Sequence, residues 1–70
     1  MAVIKSPCTG VVWKLGAKPG DALAEGDTVM MLESMKMEIP VEMPAAGKIK
    51  AIRVAEGASI KEGQVLAEYE

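Results

Sequence analysis

The sequence has no histidine and no phenylalanine, one cysteine, and only Trp13 and Tyr69 as aromatics. Without histidine there is no imidazole base, so Ser-His-Asp and Cys-His nucleophile arrangements are excluded. Cys8 has no partner for an internal disulfide, which suits a reducing compartment and makes the cytoplasm the expected location. Paired-cysteine metal spacing and a phosphate-cradling loop are also missing. No apolar stretch approaches the roughly 20 residues of a membrane-spanning helix. The opening "MAVIKSPCTG" lacks the basic segment and long apolar run of a signal peptide. Two aromatics give no stacking platform for single-stranded nucleic acid. A net charge of −2 with interleaved signs leaves no basic footprint either.

What the chain does have is aliphatic bulk and glycine. Half of its 70 residues are hydrophobic, six of them methionine, enough for one small domain with an aliphatic core. Seven glycines punctuate short segments rich in β-branched residues. Residues 10–16, 28–33, 37–42, 48–54 and 64–70 read as strands, and no window of ten or more residues has a convincing helical period. The chain is expected to be all-β.

The second half repeats the first at an offset of 37 positions without a gap. Pro44 falls on Pro7, Gly47 on Gly10, Ile49 on Val12, and Ile52 on Leu15. Further on, "PGDALAEGDTV" (19–29) and "EGASIKEGQVL" (56–66) share one pattern of glycine turn, apolar residue, acid-glycine turn and strand. Two such units cannot each bury an apolar face alone. Packed about a pseudo-two-fold axis, they make a flattened barrel or sandwich with one shared core. Residues 1–70 are then one domain with copies at 7–33 and 44–70, joined by a connector hairpin at 34–43.

That connector holds "LESMKMEIP" (32–40), which reads as strand, turn and strand. A two-residue hairpin turn prefers Asn-Gly or Asp-Gly, because both central residues need positive φ. Here Met35, Lys36 and Met37 stand instead, two large apolar side chains around a lysine at a tip they would ordinarily avoid. Local rules are broken most often at functional sites. A catalytic amine would want burial or a cationic neighbour, whereas Lys36 has Glu33 and Glu38 close in sequence. An exposed lysine on a stiff hairpin is better suited to being acylated by another enzyme. The expectation is a carrier and not a catalyst.

The "ESMKME" motif resembles the attachment site of biotin carboxyl carrier domains in the biotinyl/lipoyl family, and the resemblance extends over nearly the whole chain. The "PGD…EGD…LES" rhythm before the motif and "P…G.I..I…EG..I.EG..L" after it fit the same family. The resemblance implies an all-β fold, a flattened barrel of two four-stranded antiparallel sheets related by a pseudo-two-fold axis. Lys36 matches the lysine that biotin protein ligase converts to biotinyl-lysine, and Met35 and Met37 match its flanking methionines. Glu33, Ser34 and Glu38 are the other expected recognition residues. Ser34 stands where alanine is usual, and the additional "thumb" loop of some acetyl-CoA carboxylase carriers is absent.

The resemblance implies a swinging arm: biotin on Lys36 carries a carboxyl group from a biotin carboxylase to a carboxyltransferase, most naturally of an acyl-CoA carboxylase. Three other readings stay open at this point. A lipoyl carrier shares the fold but usually shows Asp-Lys-Ala at the turn. Met35, Met37 and Cys8 could offer sulfur to a soft metal such as Cu(I) if they converge. An unmodified interaction module would use the same tip as a docking surface.

Overall fold

A computed structural model describes residues 1–70 and contains eight strands and no helix. They are β1 (Ala2–Lys5), β2 (Gly10–Leu15), β3 (Ala22–Leu23), β4 (Thr28–Ser34), β5 (Met37–Glu42), β6 (Gly47–Ile52), β7 (Ser59–Ile60) and β8 (Val65–Tyr69). They form two four-stranded antiparallel sheets, in the orders β1-β8-β6-β3 and β5-β4-β2-β7. Moving β1 and β3 forward by 37 positions, and β6 and β8 back by 37, carries the first order onto the second, strand for strand.

The register follows the same operation. Ala2 pairs with Tyr69 as Ile39 pairs with Leu32, and Ile4 with Ala67 as Val41 with Met30. Even the irregularities are duplicated: a bulge between Val12 and Lys14 is matched by one between Ile49 and Ala51. Turn hydrogen bonds repeat too. The amide of Gly20 donates to Ile49 O at 2.9 Å, and that of Gly57 to Val12 O at 2.7 Å. Gly20, Gly26, Gly57 and Gly63 all have positive φ, which is why glycine recurs at those spacings.

The reason the halves need each other is in the core. Twelve buried residues make one cluster, which includes Val12, Met30, Leu32, Met43, Ile49, Ile60 and Leu66. They come from both sheets. Each sheet alternates apolar-in and polar-out, so neither could cover its inner face in isolation. Met30 and Met43 are core residues, while Met31 is only partly buried on the outer side of β4. Pro40 lies on β5, an edge strand, where a missing N–H costs no ladder bond.

Three strands escaped the sequence reading. β3 and β7 have two residues each, too short for a period to show, and β1 is an isolated "AVIK". β1 is the counterpart of β5, so the duplication extends beyond residues 7–33 and 44–70 at the level of structure.

The halves differ at their surfaces. Lys50 Nζ lies 2.8 Å from Glu70, and Arg53 pairs with Glu68. The hydrogen bond and charge of Lys50 hold the Glu70 carboxyl below its usual range, so this exposed pair helps only above that lowered value and fades as pH falls through it. The equivalent positions in the first half are Trp13 and Glu33.

Ile49 is fully buried at the junction of the sheets. Ile49→Ala is expected to lower the unfolding free energy by about 3 kcal/mol, read as a reduced urea midpoint with an unchanged slope.

Candidate functional site

Lys36 sits on the turn that joins β4 to β5, between the paired residues Ser34 and Met37. Met35 and Lys36 have φ of 53° and 64°, and they are the non-glycine residues of the chain with positive φ. A two-residue turn between twisted antiparallel strands requires this left-handed geometry at both positions. For residues with a Cβ it costs roughly 1 kcal/mol each. The turn thus stores strain where Asn-Gly would store little.

The strain is sustained because both arms of the hairpin are anchored. Met30, Leu32 and Val41 on its inner face are buried in the core, and Ile39, opposite Leu32, packs against it. The next inward row, Ser34 and Met37, lies past the end of the core. Ser34 compensates by donating its hydroxyl to Thr9 O at 2.8 Å, tying the tip to the loop before β2. Thr9 Oγ1 in turn accepts from the Glu62 amide at 3.2 Å. Gly10 lies under the hairpin so closely that a Cβ there would meet Glu33 O at 2.3 Å. Thr9 and Gly10 support the site and were not singled out in the sequence. Gly10 was visible there only as a landmark of the repeat, the counterpart of Gly47.

Met35 is 90 % exposed and Met37 60 %, so neither is held by the barrel. Lys36 is exposed, and neither ion pair of the structure involves it. Glu33 and Glu38 face each other directly across the hairpin, both exposed and neither ion-paired. Like charges in that position work against the hairpin. The tip therefore presents an unpaired ammonium, two solvent-exposed thioethers and an uncompensated acidic pair.

No cavity accompanies the lysine. The larger concavity, about 380 Å³, is a shallow groove lined by Val3–Lys5, Pro7, Pro40–Glu42 and Pro44, along the pseudo-two-fold axis. The second is lined by Leu15–Lys18 and Asp21. Neither includes Lys36. The tip offers no pocket to a free ligand, and the exposed Lys36 Nζ is suited to form an amide. The sulfur-ligand reading finds no support in the geometry: Cys8 packs against the core while Met35 stands in solvent.

A family model described as "Biotin-requiring enzyme" (biotin/lipoyl) matches residues 2–69. The Biotin/lipoyl attachment protein of Bacillus subtilis is 44 % identical over 59 residues, covering 84 % of this chain and 81 % of that protein. The Biotin-dependent acyl-coenzyme A carboxylase alpha3 subunit of Mycobacterium leprae is 40 % identical over 65 residues, covering 93 % of this chain and 11 % of the subunit. The chain thus spans about a tenth of the carboxylase relatives it matches. Among solved structures, the lipoyl domain of the 2-oxoglutarate dehydrogenase complex from Azotobacter vinelandii aligns with a TM-score of 0.83 at 28 % identity, over 99 % of this chain and 96 % of that domain.

Two substitutions test how the tip is built. Met35→Asn should raise stability by about 1 kcal/mol, because asparagine tolerates the left-handed region and the methionine gives up little packing. Gly10→Ala should lower it by about 2 kcal/mol and shift the amide NMR signals of Glu33 to Met37, since backbone must move to admit the methyl group.

Proposed function

The chain belongs to the biotin/lipoyl family, and on that premise we propose that it is a biotin carboxyl carrier with biotin in amide linkage on Lys36. The observation that carries this reading is the Met35-Lys36 turn itself. Two strained, solvent-exposed residues have no folding benefit, and the amine they present has neither a protein partner nor a pocket.

Each residue at the tip has a part in this function. Lys36, once its ammonium has lost a proton, supplies the nucleophilic Nζ that attacks the biotin carboxyl activated as an acyl phosphate ester by biotin protein ligase and ATP. The C–O bond to phosphate breaks, the nucleotide leaves, and the nitrogen loses a second proton as the amide forms. Met35 and Met37 are adaptable apolar contacts on a surface that must fit several enzymes in turn. Ser34 fixes the angle of the hairpin through Thr9, and Glu33 and Glu38 offer unpaired carboxylates to a cationic partner surface. When bound, biotin supplies a ureido nitrogen that accepts and releases a carboxyl group; the chain supplies tether, position and recognition. Tethering raises the effective concentration of the arm at a biotin carboxylase and at a carboxyltransferase, provided it reaches both.

An acyl-CoA carboxylase is the natural setting, on the strength of relatives such as the M. leprae subunit. The lipoyl domain shares the fold, so fold alone does not discriminate; Met-Lys-Met at the turn and the carboxylase relatives favour biotin. The unpaired Cys8 suits a cytoplasmic setting.

Incubation with biotin protein ligase, ATP and biotin should add one biotinyl mass to the intact protein and none to Lys36→Arg; uptake by Lys36→Arg would refute the assignment. Met37→Thr should fold with a nearly unchanged urea midpoint and Met35→Thr with a lowered one, because a β-branched residue fits the left-handed region poorly. Both should slow biotinylation or carboxylation by about tenfold, a loss of about 1.4 kcal/mol in partner recognition. Unchanged rates in both variants would remove the methionines from the recognition surface.

A further inference from the structure

The duplicated bulge gives Trp13 an internal comparison. In β6 the bulge falls at Lys50, whose Nζ reaches Glu70 at 2.8 Å. In β2 the same break in register falls at Trp13, and the position equivalent to Glu70 is Glu33. An indole thus stands where the other half has a cation bridged to a carboxylate. Trp13 is 52 % exposed, between buried Val12 and exposed Lys14, on the outer face of the sheet that bears the Lys36 hairpin. Val11, 40 % exposed, and the partly buried Met31 extend the same apolar strip. Lys50 reaches residue 70, and the duplicated backbone gives Trp13 the same starting position relative to Glu33, three residues before Lys36.

The spacing matches a group borne on Lys36. The bulge lies level with Met31 and Leu32 on β4. That is about four residues back from the turn, on the order of 13 Å along the strand and about 5 Å to the side. A biotinyl-lysine arm places about ten bonds of roughly 1.5 Å between Cα and ring, so it spans a similar length when staggered. The ring has an apolar, sulfur-bearing face and a polar ureido edge. An indole face accepts the first, and the Glu33 carboxylate accepts hydrogen bonds from the N–H groups of the second.

We infer that Trp13, with Val11, Met31 and Glu33, forms a resting site on which the ring carried by Lys36 folds back against the outer face of its own sheet. The inference rests on the reading of Lys36 as the biotinylated residue. Contact on an open face is weak enough for a partner enzyme to displace, so the site shelters the ring in transit without withholding it.

Trp13 is the only tryptophan, so its fluorescence reports this face alone. Protein shown by intact mass to carry one biotinyl group should emit at shorter wavelength than the unmodified form, with acrylamide quenching reduced about two-fold. Lys36→Arg protein taken through the same reaction should keep the unmodified values. Ring protons of the biotinyl group should show upfield NMR shifts in the parent protein. Those shifts should vanish in Trp13→Lys, a variant that holds the residue the other half accommodates at this bulge. Absence of the mass increase would refute the biotinylation reading. A confirmed biotinyl form with unchanged quenching, or with ring shifts that persist in Trp13→Lys, would overturn the resting site alone.

Discussion

The whole domain depends on two small sheets burying one another. Each has a single apolar face, and among residues 1–70 the other sheet is the layer that covers it. The duplicated sequence solves this by making the same face twice and packing the copies about a two-fold axis. That packing gives the register, the paired bulges and the repeated turn hydrogen bonds. It also determines where the core stops. Leu32 is the last fully buried residue of β4 before the hairpin tip, and Ser34 and Met37, which share its orientation, find nothing beneath them but the Thr9 loop.

Exposure of the tip is therefore a consequence of where the core ends, and its strain is carried by the anchored strands behind it. Left-handed backbone at Met35 and Lys36 works against the fold by an amount comparable to one or two good hydrogen bonds. The uncompensated Glu33–Glu38 pair works against it again. Both are tolerable in a hairpin whose inner face is buried in the core. A catalytic centre is usually concave, shielded and rich in titratable groups. This tip is convex and wet, which is the geometry of a handle.

Internal symmetry also supplies a reference inside one molecule. Where both halves keep the same residue type, as at the glycine turns and the core positions, the cause is common to both: backbone geometry or packing. Differences concentrate on the outer face of the sheet that carries Lys36. There Trp13 and Glu33 replace the ion pair of Lys50 and Glu70, and the covalent Met35-Lys36 turn occupies the place where the other half has the two chain ends. The bulge itself requires neither Trp13 nor Glu33, because the second half holds the same irregularity with Lys50 and Glu70.

Much of this was legible in sequence because β structure writes itself at short range. Glycines needed at positive φ, alternating apolar residues and a gapless offset disclosed the class, the duplication and the exposed lysine. β1, β3 and β7 were not legible, since strands of two to four residues are defined by the partner they pair with and not by their own pattern. Within the site, Lys36 and its methionines stood out by violating turn preference. Thr9 and Gly10 did not, because their importance lies in what passes above them some 24 residues later in the chain. The same holds for Trp13, the single tryptophan of the sequence, which acquires a position only when the bulge sets it on the exposed face of the sheet that carries Lys36. The sequence by itself determined the fold class and the reactive amine, both products of local backbone preference and periodicity. Tertiary structure alone decided how the hairpin is held and what its outer face presents, because those depend on contacts between segments distant in the chain.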